Sequence, residues 1–172
     1  MGPYPCTSRG RNFNVEVTDV FTCWAEAFAG PNAKAFTVLA LLEREYFPRY
    51  EYPAVLLTDN GVQFTGRHWQ MSCERWGVKH YTTPTYHPRT NLTERRNQDI
   101  NIYLCIRLDE DHTKWDLHLS TLLYCLRRRT NVVTGHYPTE LVQGRNHALP
   151  GEARALINSH EAHGDDRCED AR

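Results

Sequence analysis

Two acidic residues stand where the sequence predicts that one structural element ends and another begins. Asp59 comes just after the apolar run AVLL (54–57), and a turn signal, Asn60-Gly61, follows it directly. Glu94 falls near the start of a predicted helix, in LTERRNQ (92–98). Ligands of open α/β sheets gather at the carboxyl ends of strands, and Mg2+ prefers carboxylate oxygens. The two residues are therefore candidate ligands of one divalent cation.

A purely structural explanation of these residues is the stronger expectation at this point. An Asp-Asn-Gly sequence is a common turn, and a glutamate in the first turn of a helix suits the helix dipole. The residue types and their positions alone leave both interpretations standing.

Hydrophobic periodicity predicts the elements that must position the two carboxylates. Alternating apolar and polar residues predict a hairpin of two strands. Apolar residues at helical spacing then predict a first helix, with Asn32 as its N-cap and Pro48 as its end. Gly77 is predicted to close the second helix. Strands that alternate with helices indicate an α/β domain. The predicted strands are 12–19, 23–29, 54–57 and 78–83, and the predicted helices are 32–47, 66–76, 92–109 and about 114–128.

Composition places the chain among folded proteins and hides an uneven charge. The net charge of −1 is the sum of a body, residues 1–151, that carries +2 and a tail, residues 152–172, that carries −3. No run of residues is apolar enough to span a bilayer, and no signal peptide is evident. The six cysteines lack zinc-finger spacing, which indicates reduced thiols and a nuclear or cytoplasmic, non-secreted protein.

Five motifs in order resemble the integrase catalytic core of gypsy-class long-terminal-repeat retrotransposons and retroviruses. The resemblance covers roughly residues 1–150, which we expect to form one core-like domain, and it leaves 151–172 as a polar, acidic and disordered tail. The motifs are MGPYP (1–5), VTDVFTCWAEAF (17–28), LLTDNGVQFTG (56–66), WGVKHYTTPTYHPRTN (76–91) with TER (93–95), and TGHYPTELVQGRNHALP (134–150).

The resemblance implies an RNase H-like α/β fold, with a mixed sheet flanked by helices, and a nucleic-acid-binding enzyme of DNA integration. Such enzymes hold two Mg2+ or Mn2+ ions with two aspartates and a glutamate, and transfer DNA strands at phosphodiesters. Asp59 matches the second aspartate and Glu94 matches the glutamate, so both are the expected catalytic and metal-binding residues. Arg89, Arg95 and Arg96 are the expected DNA contacts. The implied partners are DNA and further copies of the chain, with neither a membrane nor a small-molecule substrate.

Three departures from the family pattern bear on activity. The family's first aspartate lies two positions before the Met-Gly-Pro signature, so we expect an N-terminally incomplete core that lacks its first, central strand and has little strand-transfer activity. The interval between Asp59 and Glu94 is also one residue shorter than is usual, which would rotate Glu94 by roughly 100° about its helix. At two positions where the family has basic residues that face DNA, this chain has Gln98 and Asn101.

Asp19, in VTDVFTCW, is a possible substitute for the first aspartate, but a role in the hairpin turn is the stronger expectation. Two hypotheses follow for the chain as a whole. It is a truncated or incompletely defined integrase core, or it is a non-catalytic, domesticated remnant that binds nucleic acid or another protein. An upstream reading frame that encodes a strand with the missing aspartate would favour the first hypothesis.

Overall fold

The computed structural model describes residues 1–83, 100–104, 111–149 and 152. The chain divides into two compact units, Met1–Leu126 and Arg127–Arg172. The first unit combines two strand pairs with helices, so the predicted α/β class is confirmed. Among the described residues, no helix is long and apolar enough to cross a membrane.

The alternating segments form the predicted hairpin. Strand β1 (Phe13–Thr18) pairs antiparallel with β2 (Ala25–Gly30). Asp19 closes the turn between the strands, because its Oδ2 accepts hydrogen bonds from the Thr22 backbone N at 2.8 Å and from Thr22 Oγ1 at 2.5 Å. The turn role expected of Asp19 is confirmed.

The first long helical segment departs from its predicted bounds at both ends. Helix α1 (Ala35–Leu41) runs through a π-helical turn (Leu42–Tyr46) into α2 (Phe47–Tyr50), so the prediction that Pro48 ends the helix was wrong. Pro48 lies in the first turn of α2, where its missing N–H costs little. At the other end Lys34, not Asn32, is the N-cap; the Asn32 Oδ1 accepts from the Lys34 backbone N at 3.0 Å.

A second strand pair follows, with the short helices that cover it. β3 (Val55–Thr58) and β4 (Lys79–Thr82) pair in parallel, and their connection contains α3 (Val62–Thr65) and α4 (Arg67–Trp76). The predicted bounds of α4 are confirmed to within one residue, whereas α3 was not predicted. Gly77 ends α4 at φ 70°, a left-handed conformation that glycine adopts at low cost.

Both strand pairs cover one apolar cluster. Val15 and Val17, which share one face of β1, and Leu56 of β3 pack against the same buried side chains. These belong to α1, the turns that follow it, and α4, and they are Val38, Leu39, Leu42, Phe47, Trp69 and Cys73. β1 and β3 therefore lie over a common helical layer, although the hydrogen-bonded ladders of the described residues join them only to β2 and β4 respectively.

The opposite face of the hairpin covers a second cluster. Ala27 and Ala29 of β2 pack on helix α5 (100–104) and helix α6 (Trp115–Arg127). A short 3-10 turn (His112–Lys114) leads into α6, close to its predicted start. The buried members are Ile100, Leu104, Trp115, Leu119 and Leu122. Helices on both faces of the strands are the layered arrangement that the sequence predicts.

The N-terminal segment is tied to α6 by polar contacts. Trp115 Nε1 donates to the Pro5 carbonyl at 2.9 Å, and Arg9 Nε donates to Asp116 Oδ2 at 2.8 Å. The Asp116 side chain is only 2% exposed, and the hydroxyl of Thr7 also donates to it. Residues 4–9 are therefore fixed against the helical face of the hairpin.

The described residues of the second unit include α7 (Pro138–Gln143), which Gly144 ends at φ 71°. The predicted tail, 151–172, and most of the predicted helix 92–109 lie outside the described residues. Among the cysteines that the structure describes, Cys23 and Cys73 are buried, and Cys6 and Cys125 are exposed.

Candidate active site

Asp59 emerges at the carboxyl end of β3, as predicted. The parallel ladder pairs Thr58 with Thr82 and continues through the Thr83 backbone N, which donates to the Thr58 carbonyl at 2.8 Å. Asp59 is the first residue beyond this pairing, and its side chain is exposed. The strand ladder therefore delivers a solvated carboxylate to the edge of the sheet where α/β proteins place their ligands.

Short contacts define the Asp59 loop. The Gly61 backbone N donates to Asp59 Oδ1 at 2.9 Å, and Asn60 Nδ2 donates to the Thr83 carbonyl at 3.0 Å. The first contact orients the carboxylate and the second ties the loop to the end of β4. Oδ2 has no hydrogen bond to the described residues, so it is available as a hard oxygen ligand.

Thr58 and His80 stand behind the Asp59 peptide, and the sequence analysis missed both. The Thr58 hydroxyl donates to the Asp59 carbonyl at 3.0 Å and lies 2.9 Å from His80 Nε2. The His80 ring packs edge-on against Trp69, with 5.6 Å between ring centroids, and burial lowers its pKa. The only available signal was the register of two parallel strands, which a single sequence does not specify.

Glu16, which the sequence analysis did not identify, is a second carboxylate whose charge, like that of Asp59, acts on the Met1 amino group. Met1 and Asn14 exchange both backbone hydrogen bonds, at 2.6 and 2.9 Å, so the start of the chain runs antiparallel along the free edge of β1. Burial lowers the pKa of the Met1 amino group, whereas the charges of Glu16 and Asp59 oppose that shift. Both carboxylates therefore lie within electrostatic reach of the Met1 amino group. The signal in the sequence was the charged Glu16 within the alternating residues of β1.

The remaining predicted site residues cannot be placed. Glu94, Arg89, Arg95 and Arg96 lie outside the described residues. In the part of the chain that is described, no group of three or more His, Cys, Asp or Glu side chains forms a metal cage. Asp59 thus offers one suitable ligand, and its assignment together with Glu94 stays a prediction.

Sequence comparison decides the family. Residues 4–88, which include both strand pairs and Asp59, match the integrase core domain family. This region belongs to the integrase core family. The chain is 26% identical over 151 residues to the retrovirus-related Pol polyprotein from transposon 412 of Drosophila melanogaster, with 87% of this chain covered. It is 31% identical over 154 residues to the Pol polyprotein of radiation murine leukemia virus (strain Kaplan), with 88% covered.

These relatives are much longer than the integrase core described here. The chain spans 12% of the transposon 412 polyprotein and 25% of the murine leukemia virus polyprotein. Its fold is similar to the HTLV-2 integrase catalytic core domain in complex with magnesium (trimeric form), at a TM-score of 0.60 and 19% identity. That likeness covers 77% of this chain and 82% of the HTLV-2 chain, and it confirms the RNase H-like fold.

Proposed function

We propose that this integrase core serves divalent-metal-dependent strand transfer on DNA, with Asp59 and Glu94 as metal ligands. The observation that carries the proposal is the exposed Asp59 carboxylate at the end of β3, oriented by the Gly61 amide and presented within a region of the integrase core family. Bound Mg2+ or Mn2+ would activate the attacking oxygen and stabilise the leaving oxygen of a phosphodiester. The magnesium complex named for the HTLV-2 core supports this choice of metal.

The residues of this chain supply position and charge. Asp59 would hold its carboxylate toward the metal through Oδ2, while Gly61 holds Oδ1. Arg89, Arg95 and Arg96 would attract DNA phosphates, whose binding is dominated by charge. The trimeric form named for the HTLV-2 core is in keeping with assembly of several copies. Localisation in the nucleus or cytoplasm belongs to the same proposal.

The edge of β1 bears on the third carboxylate that the family resemblance requires. Because Met1 and Asn14 form a reciprocal pair, a residue two positions ahead of Met1 would face Glu16 across an extended ladder, with about 5.5 Å between Cα atoms. The resemblance puts the family's first aspartate at that position. Residues 1–172 alone would therefore bind metal weakly and join DNA ends poorly, whereas a chain extended by one strand would complete the site.

The test compares the 172-residue chain with a chain extended by an N-terminal strand that carries Asp or Asn two positions ahead of Met1. The Asn version is the matched control, since it adds the same strand without the charge. We expect Mn2+-dependent joining of a DNA end only from the Asp version, and its loss in Asp59→Asn.

DNA binding without joining in the Asp version would favour the non-catalytic hypothesis. Robust joining by residues 1–172 that Asp59→Asn abolishes would contradict the proposed weakness of the shorter chain. Joining that survives Asp59→Asn would refute the site itself.

A further inference from the structure

The contact between Thr58 and His80 links the two parallel strands directly behind Asp59. Thr58 Oγ1 lies 3.0 Å from the Asp59 carbonyl and 2.9 Å from His80 Nε2, and the two side chains are 22 residues apart in sequence. Both point to the inner face of the strand pair, because His80 packs on the buried Trp69. The Asp59 peptide is thus held from the protein side, away from the solvent that its carboxylate faces.

The single donor hydrogen of a hydroxyl group determines which group donates in each of these hydrogen bonds. Threonine has one hydroxyl hydrogen, and Thr58 uses it toward the Asp59 carbonyl, which can only accept. The short contact with His80 must then be a bond that the imidazole donates, from Nε2–H to Thr58 Oγ1. A neutral ring that carries its proton on Nε2 has none on Nδ1.

Three ties therefore converge on a four-residue segment. The His80–Thr58 pair holds the Asp59 carbonyl, the Gly61 amide holds the Asp59 carboxylate, and Asn60 binds the Thr83 carbonyl. The Gly61 bond was predictable in kind from a local turn, whereas the Asn60 bond joins residues 23 apart in sequence. The His80 tie comes from β4, and it connects the position of Asp59 to the core through the Trp69 ring.

We propose that His80 is a positioning residue for Asp59: its Nε2–H donates to Thr58 Oγ1, and the Thr58 hydroxyl in turn fixes the peptide that carries the carboxylate. The consequence for metal affinity rests on the function proposed above, whereas the hydrogen-bond relay itself does not. Groups that orient a metal ligand typically change metal affinity by about 10- to 100-fold when they are removed. Asp59 is held by further contacts, so we expect the lower end of that range.

The first measurement needs no variant. Long-range 1H–15N NMR correlation of the histidines in the whole 172-residue chain reports which ring nitrogen carries the proton. We expect His80 to be the Nε2–H tautomer near neutral pH. An Nδ1–H tautomer would overturn the relay, whatever the metal does.

The second measurement compares variants that separate packing from donation. His80→Phe keeps a ring against Trp69 but cannot donate, and His80→Gln restores an N–H donor. Thr58→Val keeps the shape of the side chain without the hydroxyl, and Thr58→Ser restores the hydroxyl. We expect His80→Phe and Thr58→Val each to weaken Mn2+ binding about tenfold, measured as paramagnetic broadening of the Asn60 and Gly61 amides. The restoring variants should recover most of the affinity.

The double variant His80→Phe/Thr58→Val should bind Mn2+ no more weakly than either single variant, because both remove the same link. Additive losses would contradict a shared relay. Unchanged affinity in His80→Phe, in a protein whose Mn2+ binding is lost in Asp59→Asn, would also overturn the proposal.

If Asp59→Asn leaves Mn2+ binding unchanged, the proposed function fails and the relay is judged separately. Hydrogen exchange of the Gly61 amide then serves as the readout, since that amide donates to the Asp59 carboxylate. Faster exchange in His80→Phe and Thr58→Val, with recovery in His80→Gln and Thr58→Ser, would support the relay. Equal exchange in all four variants would refute it.

Discussion

Replacing Gly61 with alanine should displace the Asp59 carboxylate while leaving the fold intact. A Cβ on Gly61 would lie 2.8 Å from Asp59 Oδ1 and 2.5 Å from Gln63 Nε2, and ordinary contacts begin at 3.4 Å. The end of the Gln63 side chain can turn away. The Asp59 oxygen is held by the Gly61 amide, so it must move by about 0.6 Å. Metal–ligand distances in a well-formed site lie within about 0.2 Å of their usual values, so a carboxylate shifted this far offers a different geometry to a metal.

The cost to stability is small because opposing effects nearly cancel. Gly61 has φ −57° and ψ 142°, which alanine adopts without strain. The substitution stabilises by about 0.4–1 kcal/mol through the unfolded state, and weakening the amide–carboxylate bond costs about 0.5–1.5 kcal/mol. We therefore expect a change in unfolding free energy within about 1 kcal/mol, together with a 10- to 100-fold loss of Mn2+ affinity.

The assay is Mn2+ titration followed by paramagnetic broadening, with thermal denaturation of the same samples. Gly66→Ala is the matched control, since its Cβ would meet nothing closer than the Val62 carbonyl at 3.9 Å. Gly61→Ala/Gln63→Ala removes the clash with glutamine and isolates the effect on Asp59. Wild-type Mn2+ affinity in Gly61→Ala would refute the inference that this glycine makes room for the carboxylate.

Three further predictions concern stability. Arg9→Met leaves the 2%-exposed Asp116 carboxylate without its cation and should lower the free energy of unfolding in urea by about 2–3 kcal/mol. Asp116→Asn leaves a 56%-exposed, hydrated guanidinium and should lower it by only about 1 kcal/mol. The reverse order of the two losses would contradict the burial argument. Gly77→Ala, at φ 70°, should lower the free energy of thermal unfolding by about 1 kcal/mol. Unchanged stability would contradict a left-handed conformation at this cap. Burial, aided by the charges of Asp19 and Glu26, raises the pKa of Tyr46 to about 12 from 10.0. The contribution of the neutral Tyr46 side chain to stability is therefore complete below pH 10 and is lost as the pH rises toward 12. An ultraviolet titration in which every tyrosine ionises near pH 10 would contradict this expectation.

Elements set by local periodicity were predictable from the sequence, and those set by packing were not. The β1–β2 hairpin, the turn at Asp19 and the end of α4 at Gly77 depend on residues close together in sequence. The π-helical turn before Pro48 depends on how one helix fits a shared core, and no local rule specifies it. The sequence accordingly placed the end of that helix too early.

The candidate site divides in the same way. Asp59 was predictable because an apolar strand, a carboxylate and a turn follow one another directly in the chain. The roles of His80 and Glu16 were not, because His80 meets Thr58 through strand register and Glu16 acts on the Met1 amino group at the edge of β1. A one-residue slip in either pairing would turn these side chains to the other face.

Both faces of β1 are covered by helices, although its residues alternate with a period of two. A period of two usually means one face in the core and one in water, yet helices cover both faces of this hairpin. Asn14 is therefore 1% exposed, and its side-chain oxygen and nitrogen lack hydrogen-bond partners among the described residues. Such groups cost about 1–3 kcal/mol when buried. The cost falls at the residue of β1 whose backbone pairs with Met1, the edge at which the proposed site would be completed, and a fold with a functional site is expected to depart from optimal packing there.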